Sequence, residues 1–548
     1  MNIVSSNIIY SIKVDSVPFN EIRKIHGSQI ICVDYPAYLV DESKLEGIAN
    51  WLFFPKSEAE IISIINFLRE EKIPAYISAA RTGIVGSSVP KCGSILSIEK
   101  MDKMLGFGFD DNREKYFCRF EPGITLKAIN DKLLMKEIEN VKELTPNAIS
   151  RFMEEKQSSY YPMDPTEMSA SISGTVATNA SGAGTFKYGA TRKWVKKIRV
   201  SLSIGEVLEI QRGKHFASDE GTFVVKLTDG TDLVLKIPSY EFNTNVKNAA
   251  GIYAKPNMDL IDLFIGSEGL LGVITEVEIW ITEKHPLISN VLFFNSEDDA
   301  LDFVKIIRND QMVNPEFIEY FSGESLDLLR GVQSKNPSLL NVPQIPFIAR
   351  SAIFFDLPYS EDNLVSYFEM IEKMAKQCNT TLETSWSGYD TREFARFKHF
   401  RHVLPETVNS IISERKRKYP ELHKLGTDMC VPEENFGEMM KHYHSVLRKA
   451  ALEYVIFGHI GDNHVHVNIL PKNTEELELG LKIYEQFAKK AVKYNGSVSA
   501  EHGIGKIKVE FLKIMYSEKE IEQMRAVKKA LDPFLLFNCG NIFEIKEV

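Results

Sequence analysis

A chain of 548 residues is longer than one hydrophobic core organises, so two or three domains are expected. Its 44% hydrophobic and 26% charged residues leave no bias toward disorder, and no run approaches the ~18 apolar residues of a membrane span. With 65 basic against 75 acidic residues the formal charge is −10, which argues against nucleic acid as the main partner and makes any anion site a local one.

The first ~50 residues carry no legible chemistry. Ser57 with Glu60 then forms a capping box, and Ile61, Ile65 and Leu68 recur at helical spacing toward Lys72. A short strand at 75–78 runs into the loop AARTGIVGSSVP at 79–90, and GSILSIEKM returns as a second strand. The segment 160–184 is dominated by small residues, and VITEVEIWIT at 273–282 alternates strictly, as a strand does. Beyond His285-Pro286 the segments lengthen, which places a domain boundary there. Amphipathic helices are expected at 360–380, 433–450, 473–494 and 517–531, with strands between them at 454–457 and 464–470. Six scattered cysteines without a C-x-x-C pair offer neither a disulfide framework nor an iron–sulfur cluster. With no basic, apolar signal segment at the N-terminus, they suggest a cytoplasmic protein, at most peripheral to the inner face of a membrane.

Three segments of the first half, 79–90, 172–184 and 264–275, set glycine, serine and alanine beside predicted strands. Such backbone can turn successive N–H groups toward an anion, which suits a pyrophosphate. Any one of them reads as an ordinary turn; three in one half are harder to dismiss, and they leave room for a dinucleotide held by separated loops. The G-x-G-x-x-G fingerprint is absent, so a Rossmann site is not supported.

Near the C-terminus, GHIGDNHVHVN at 458–468 and SAEHGIGKIK at 499–508 offer His459, His466 and Glu501 as three metal ligands, with His502 beside them as a base. Imidazole and carboxylate suit a divalent ion, and three ligands leave a position for substrate. His464, His466, Asn468 and Leu470 alternate with Val465, Val467 and Ile469, so one strand face would be polar. The competing reading is unrelated histidines near a turn.

These segments, with FPKSEAEIISII, FEPGITL, YYPMDPTE and DPFLLFNCGNIF, resemble the FAD-linked oxidases and dehydrogenases of the vanillyl-alcohol oxidase (PCMH) type. Within them the likeness is to D-lactate (cytochrome-type), glycolate and D-2-hydroxyglutarate dehydrogenases, from about residue 45 onward. The resemblance implies an α+β chain with an N-terminal extension (1–44), a two-part PCMH-type FAD-binding domain (45–285) and a C-terminal α+β substrate or cap domain (286–548). It assigns the pyrophosphate loop to Arg81, Thr82, Gly83, Ile84, Val85 and Gly86. A second flavin segment takes Pro162, Asp164, Thr166, Ser171, Ser173, Gly174, Ala177, Asn179 and Gly182. Gly266, Ser267, Glu268, Gly269, Gly272, Ile274 and Thr275 match a third, beside the adenosine half, and Asn541 falls near the flavin ring. Ala79, Ala80 and Arg81 stand where glycines are usual; Arg81 is either a phosphate partner or a surface arginine.

The same resemblance makes His459, His466 and Glu501 ligands of Zn, Mn or Fe, His502 the catalytic base, Asn468 a substrate contact and Arg401 the clamp on a substrate carboxylate. It implies oxidation of a 2-hydroxy acid, the metal acidifying the hydroxyl, an imidazole taking its proton and hydride passing to the flavin N5. Pro405 and Gly426 stand where D-2-hydroxyglutarate members carry threonine and lysine. That favours a monocarboxylate such as D-lactate, although Lys424 lies close to the gap. His464 replaces a usual asparagine and is either an extra ligand or a group orienting one. The expected partners are a small 2-hydroxy monocarboxylate and an external electron acceptor, whether quinone, cytochrome, electron-transfer flavoprotein or partner subunit; a homodimer is compatible. The alternatives are a glycolate or D-2-hydroxyglutarate dehydrogenase, or a non-redox flavoenzyme of the alkylglycerone-phosphate synthase type.

Overall fold

The computed structural model describes residues 8–545 except 139, 164–166, 311, 334, 336–341 and 361. It is α+β, as expected, and built around three main sheets. A four-stranded sheet joins Lys24–His26, Trp51–Phe53, Ser94–Ser97 and Ala75–Ser78, the last three running parallel. A nine-stranded, mainly antiparallel sheet has Val195–Ser201, Val273–Trp280 and Lys115–Phe120 at its middle. The second half carries a seven-stranded antiparallel sheet in the order Trp386–Gly388, Leu287–Phe294, Ser351–Pro358, Phe317–Ser322, Tyr454–Gly458, His466–Ile469, Leu425–Gly426.

The helix Glu58–Glu70 starts where the capping pattern places it. Ser57 Oγ accepts from the Glu60 N–H at 3.2 Å, but the Glu60 carboxylate accepts from the Lys56 N–H instead of closing the box on Ser57. Ile61, Ile62, Ile64, Ile65 and Leu68 face the core, a wider stripe than the three residues read from spacing. Residues 8–13 form a strand of the nine-stranded sheet, parallel to Thr222–Lys226 and antiparallel to Glu206–Gln211.

Strand Val273–Trp280 alternates in sequence yet is covered on both faces. Glu278 is buried and held by Arg119 at 2.6 Å and Lys196 at 3.1 Å. The register pairs Glu276 with Arg199 and Ile274 with Val200, which leaves Thr275 as the extra residue of a bulge. That bulge separates the directions of two neighbouring side chains. Thr275 turns to Glu58, and Ile274 faces the cavity described below.

The C-terminal tail does not stay with the second half. Leu536 and Asn538 bond the backbone of Ala75, so the tail extends the four-stranded sheet of the first half. The strand expected over 464–470 begins only at His466; His464 lies outside it and bridges Cys430.

Candidate functional site

The three glycine-rich loops converge on one cavity of about 280 Å³. From the first loop, Arg81, Thr82, Gly83, Ile84 and Val85 line it; Gly86 does not. A Cβ on Gly83 would meet nothing closer than Asp41 at 4.0 Å, so glycine there keeps backbone open to the space. Arg81 takes the left-handed conformation (φ +61) that a glycine would adopt freely. Its guanidinium lies 4.4 Å above the Tyr38 ring and 3.7 Å from Glu99, partners that hold this strained residue in place. Ala79, Ala80, Ser87 and Asp41 also line the cavity, and the motif alone singled out none of them as contacts.

Ser171 caps the helix Ile172–Thr178 by accepting from the Gly174 N–H. Ser171, Ser173, Gly174 and Ala177 line the cavity from this side, beside Thr175, Thr178, Ala180 and Ser181. Asn179 ends the helix in the left-handed region and accepts from the Arg192 N–H. Gly182 accepts from Lys247, and Pro162 is buried against Gly184; none of these three lines the cavity. Asp164 and Thr166 lie outside the described residues.

From the third segment, Ser267, Glu268, Gly269, Gly272 and Ile274 line the cavity; Gly266 and Thr275 do not. Glu268 ties both halves together. Its carboxylate accepts from the N–H groups of Ile504 and Gly505, both at 2.7 Å, and from Ser87 Oγ at 2.6 Å. Burial pushes its pKa up, against these three donors. A Cβ on Gly505 would sit 2.1 Å from the Val85 carbonyl oxygen, so glycine is required for this approach. Asn541 lies beneath the wall, donating to the Ser87 and Glu268 carbonyls and accepting from Lys506. Asn538, not Asn541, reaches the cavity.

Glu501 and His502 line the same cavity, which joins the loops to the histidine cluster. The turn at 499–502 is shaped by buried Asp428, which accepts from the N–H groups of Glu501 and His502 and from Ser499 Oγ. His502 Nδ1 stands 3.3 Å from Asp428 Oδ2. Burial drives the His502 pKa down to about 4, outweighing Asp428, so the imidazole is neutral at pH 7.

A Cβ on Gly458 would lie 3.0 Å from the His466 ring, so glycine lets the two histidine-bearing segments close on each other. The His459 Nδ1–H donates to the Glu319 carboxylate at 2.6 Å and directs Nε2 toward Glu501 Oε2 at 3.3 Å. His466 Nδ1 meets the Thr427 carbonyl at 3.0 Å, which leaves Nε2 3.8 Å from Glu501 Oε2. His459, His464, His466 and Glu501 each offer one ligand atom, all within 4.8 Å of one another. Each outer nitrogen facing an acceptor and each inner one facing a shared centre is how metal-binding histidines are oriented. Burial alone would raise the pKa of Glu501, but His459 and Lys247 hold it well below the carboxylate range.

Lys247, from the first half, is a site residue the sequence did not disclose. Its buried ammonium pairs with Glu501 Oε1 and stands 3.4 Å from Asp462 Oδ2, leaving Oε2 to the histidines. Nothing in TNVKNAAG marks it, since only the tertiary fold buries it. Arg401, on the helix Thr391–Lys416, pairs with Glu319 at 3.2 Å, so that carboxylate serves both Arg401 and His459. Pro405 lacks the N–H that would close a helical bond onto the Arg401 carbonyl. Asn468 is buried between Val455 and Gly426 on the histidine strand. Neither Arg401 nor Asn468 lines the cavity.

Residues 49–139 match the FAD binding domain model and residues 288–542 the model of the C-terminal domain of FAD linked oxidases. The chain is 25% identical to a D-lactate dehydrogenase of Anaerostipes hadrus over 89% of this chain and 88% of that protein. It is 26% identical to a D-2-hydroxyglutarate dehydrogenase of Stutzerimonas stutzeri, over 90% of each. With glycolate oxidase subunit GlcD of Bacillus subtilis it shares 23%, over 89% of this chain and 88% of that one. In fold it is similar to alkyldihydroxyacetonephosphate synthase, with a TM-score of 0.59 at 12% identity, covering 96% of this chain and 87% of the other. No described helix is long and apolar enough to cross a membrane.

Proposed function

This chain belongs to the FAD-linked oxidases, with relatives named for D-lactate, D-2-hydroxyglutarate and glycolate oxidation, and we propose that it is a dehydrogenase converting D-lactate to pyruvate. The observation that carries this reading is the single cavity bounded both by the glycine-rich loops and by Glu501 and His502.

The residues fit both groups that the chemistry requires. Backbone around Gly83, Gly174 and Gly269 gives a dinucleotide close approach, and FAD held there would supply a two-electron acceptor for the substrate C2 hydride. His459, His466 and Glu501 would hold a divalent ion, whose Lewis acidity would favour ionisation of the substrate hydroxyl.

The chain's own groups do the rest. His502, neutral and oriented through Nδ1 by Asp428, has Nε2 to receive the hydroxyl proton. Lys247 and Glu319 fix Glu501 and His459, so the ligand atoms are preorganised. Arg401 uses part of its fork on Glu319 and has further N–H groups for a substrate carboxylate. Pro405 and Gly426 add no polar side chain for a second carboxylate, which favours a monocarboxylate. The electrons leave to an external acceptor, since no cysteine cluster that could carry them occurs among the described residues.

The test is anaerobic flavin reduction. D-Lactate should bleach the visible flavin absorbance, while L-lactate and D-2-hydroxyglutarate leave it intact. Bleaching by the dicarboxylate or glycolate alone would overturn the substrate assignment, and none by any 2-hydroxy acid would overturn the dehydrogenase reading.

A further inference from the structure

His464 is buried completely within the cluster of His459, His466 and Glu501. Neither of its ring nitrogens makes a hydrogen bond of acceptable geometry among the described residues, although such groups are costly to bury unmatched. Nε2 stands 3.2 Å from Asp428 Oδ1, and Nδ1 lies 4.0 Å from Glu501 Oε1. The ring centroid is 4.5 Å from that of His466 and 5.6 Å from that of His459. His464 is thus disposed much as its two neighbours are, one nitrogen beside an acceptor outside the cluster and the other toward Glu501, here on the Oε1 side where Lys247 pairs.

We propose that His464 is a fourth protein donor, so that the site holds its divalent ion with three imidazoles and one carboxylate. This rests on the metal reading above and adds a consequence for the kind of ion. Four protein donors saturate a tetrahedral ion and leave no position for substrate. An ion of six-coordinate habit, such as Mn²⁺, Fe²⁺ or Co²⁺, keeps two positions, enough for the hydroxyl and one carboxylate oxygen of a 2-hydroxy acid. His464 thus acts as a specificity-determining residue that selects against tetrahedral zinc.

The test uses the full chain with flavin bound, stripped of metal and reloaded. In the Cu²⁺-loaded wild type, electron spin-echo modulation counts coordinated imidazoles. Three support the proposal and two overturn it, with no variant needed. With Co²⁺ as the probe, the wild type should show the weak visible bands of a five- or six-coordinate ion; intense tetrahedral bands would overturn the coordination number. In His464→Asn those bands should shift, and Co²⁺ affinity, from competition with a chelator, should fall by more than the ~10–100-fold that loss of an outer partner costs. A fall with unchanged bands would mean that His464 acts only from outside the ligand sphere, and would overturn the proposal, as would no fall at all. Wild type binding neither ion would overturn this proposal and the metal reading together. Three coordinated imidazoles in a protein whose flavin no 2-hydroxy acid reduces would overturn the proposed function and leave the ligand set standing.

Discussion

The cavity is enclosed in two different ways. On the loop side it is built of backbone and small side chains, where glycine and serine leave room and a ligand is met by peptide groups. On the histidine side Glu501 and His502 line it with His459 and His466 grouped around Glu501, and each of these titratable groups is fixed by a second partner: His459 by Glu319, His466 by Thr427, His502 by Asp428, Glu501 by Lys247. The first wall works by the absence of atoms and the second by their placement. Substitutions should therefore fail in different ways on the two sides.

The largest effect is expected on the histidine side. His502→Asn should slow flavin reduction by ~10²–10⁴-fold, the usual contribution of a positioned base. Flavin content and its resting spectrum should stay as in the wild type, because the loops are untouched; lost flavin would erase the distinction between the walls. Next, Glu319→Gln keeps the shape but removes the charge shared by His459 and Arg401. Metal affinity, read by chelator competition, should fall ~10–100-fold while flavin binding is unaffected.

On the loop side, Gly505→Ala forces a Cβ against the Val85 carbonyl from a left-handed backbone. The expected cost is about 1–3 kcal/mol in stability, seen as a lower thermal midpoint and faster flavin release. Equal flavin retention would show that the loop yields.

The last effect concerns pH. Lys506, beneath this wall, is pushed down by burial from 10.5 to about 8. Between those values the unfolded chain binds the proton and the folded one does not, so stability gains as pH rises from 8 to 10.5. Compared with Lys506→Met, the wild type should become relatively more stable across that window in denaturant titrations. A difference independent of pH would show that Lys506 titrates normally.

Much of this was legible because local rules were at work. Ser57 before an apolar stripe made a helix, and alternation marked the His466–Ile469 strand. The same rule misled where the environment overrode it. His464 shares the alternation but lies outside the strand, and Val273–Trp280 alternates while covered on both faces, its Glu278 paired to both Arg119 and Lys196. Thr275 was read with Ile274 as one binding segment, and a bulge sends it to Glu58 instead.

The α+β class came from the sequence only through a family resemblance; read directly from the residues were the two kinds of wall and the residue types of the histidine cluster. Those depend on short-range spacing, turn chemistry and side-chain identity, all of which lie within a few residues. Tertiary structure alone decided which partners complete them. Glu319, Asp428 and Lys247 are 140, 74 and 254 positions from the groups they hold. A lone charge reads as a solvated one until folding removes its water, and at that point pairing becomes obligatory.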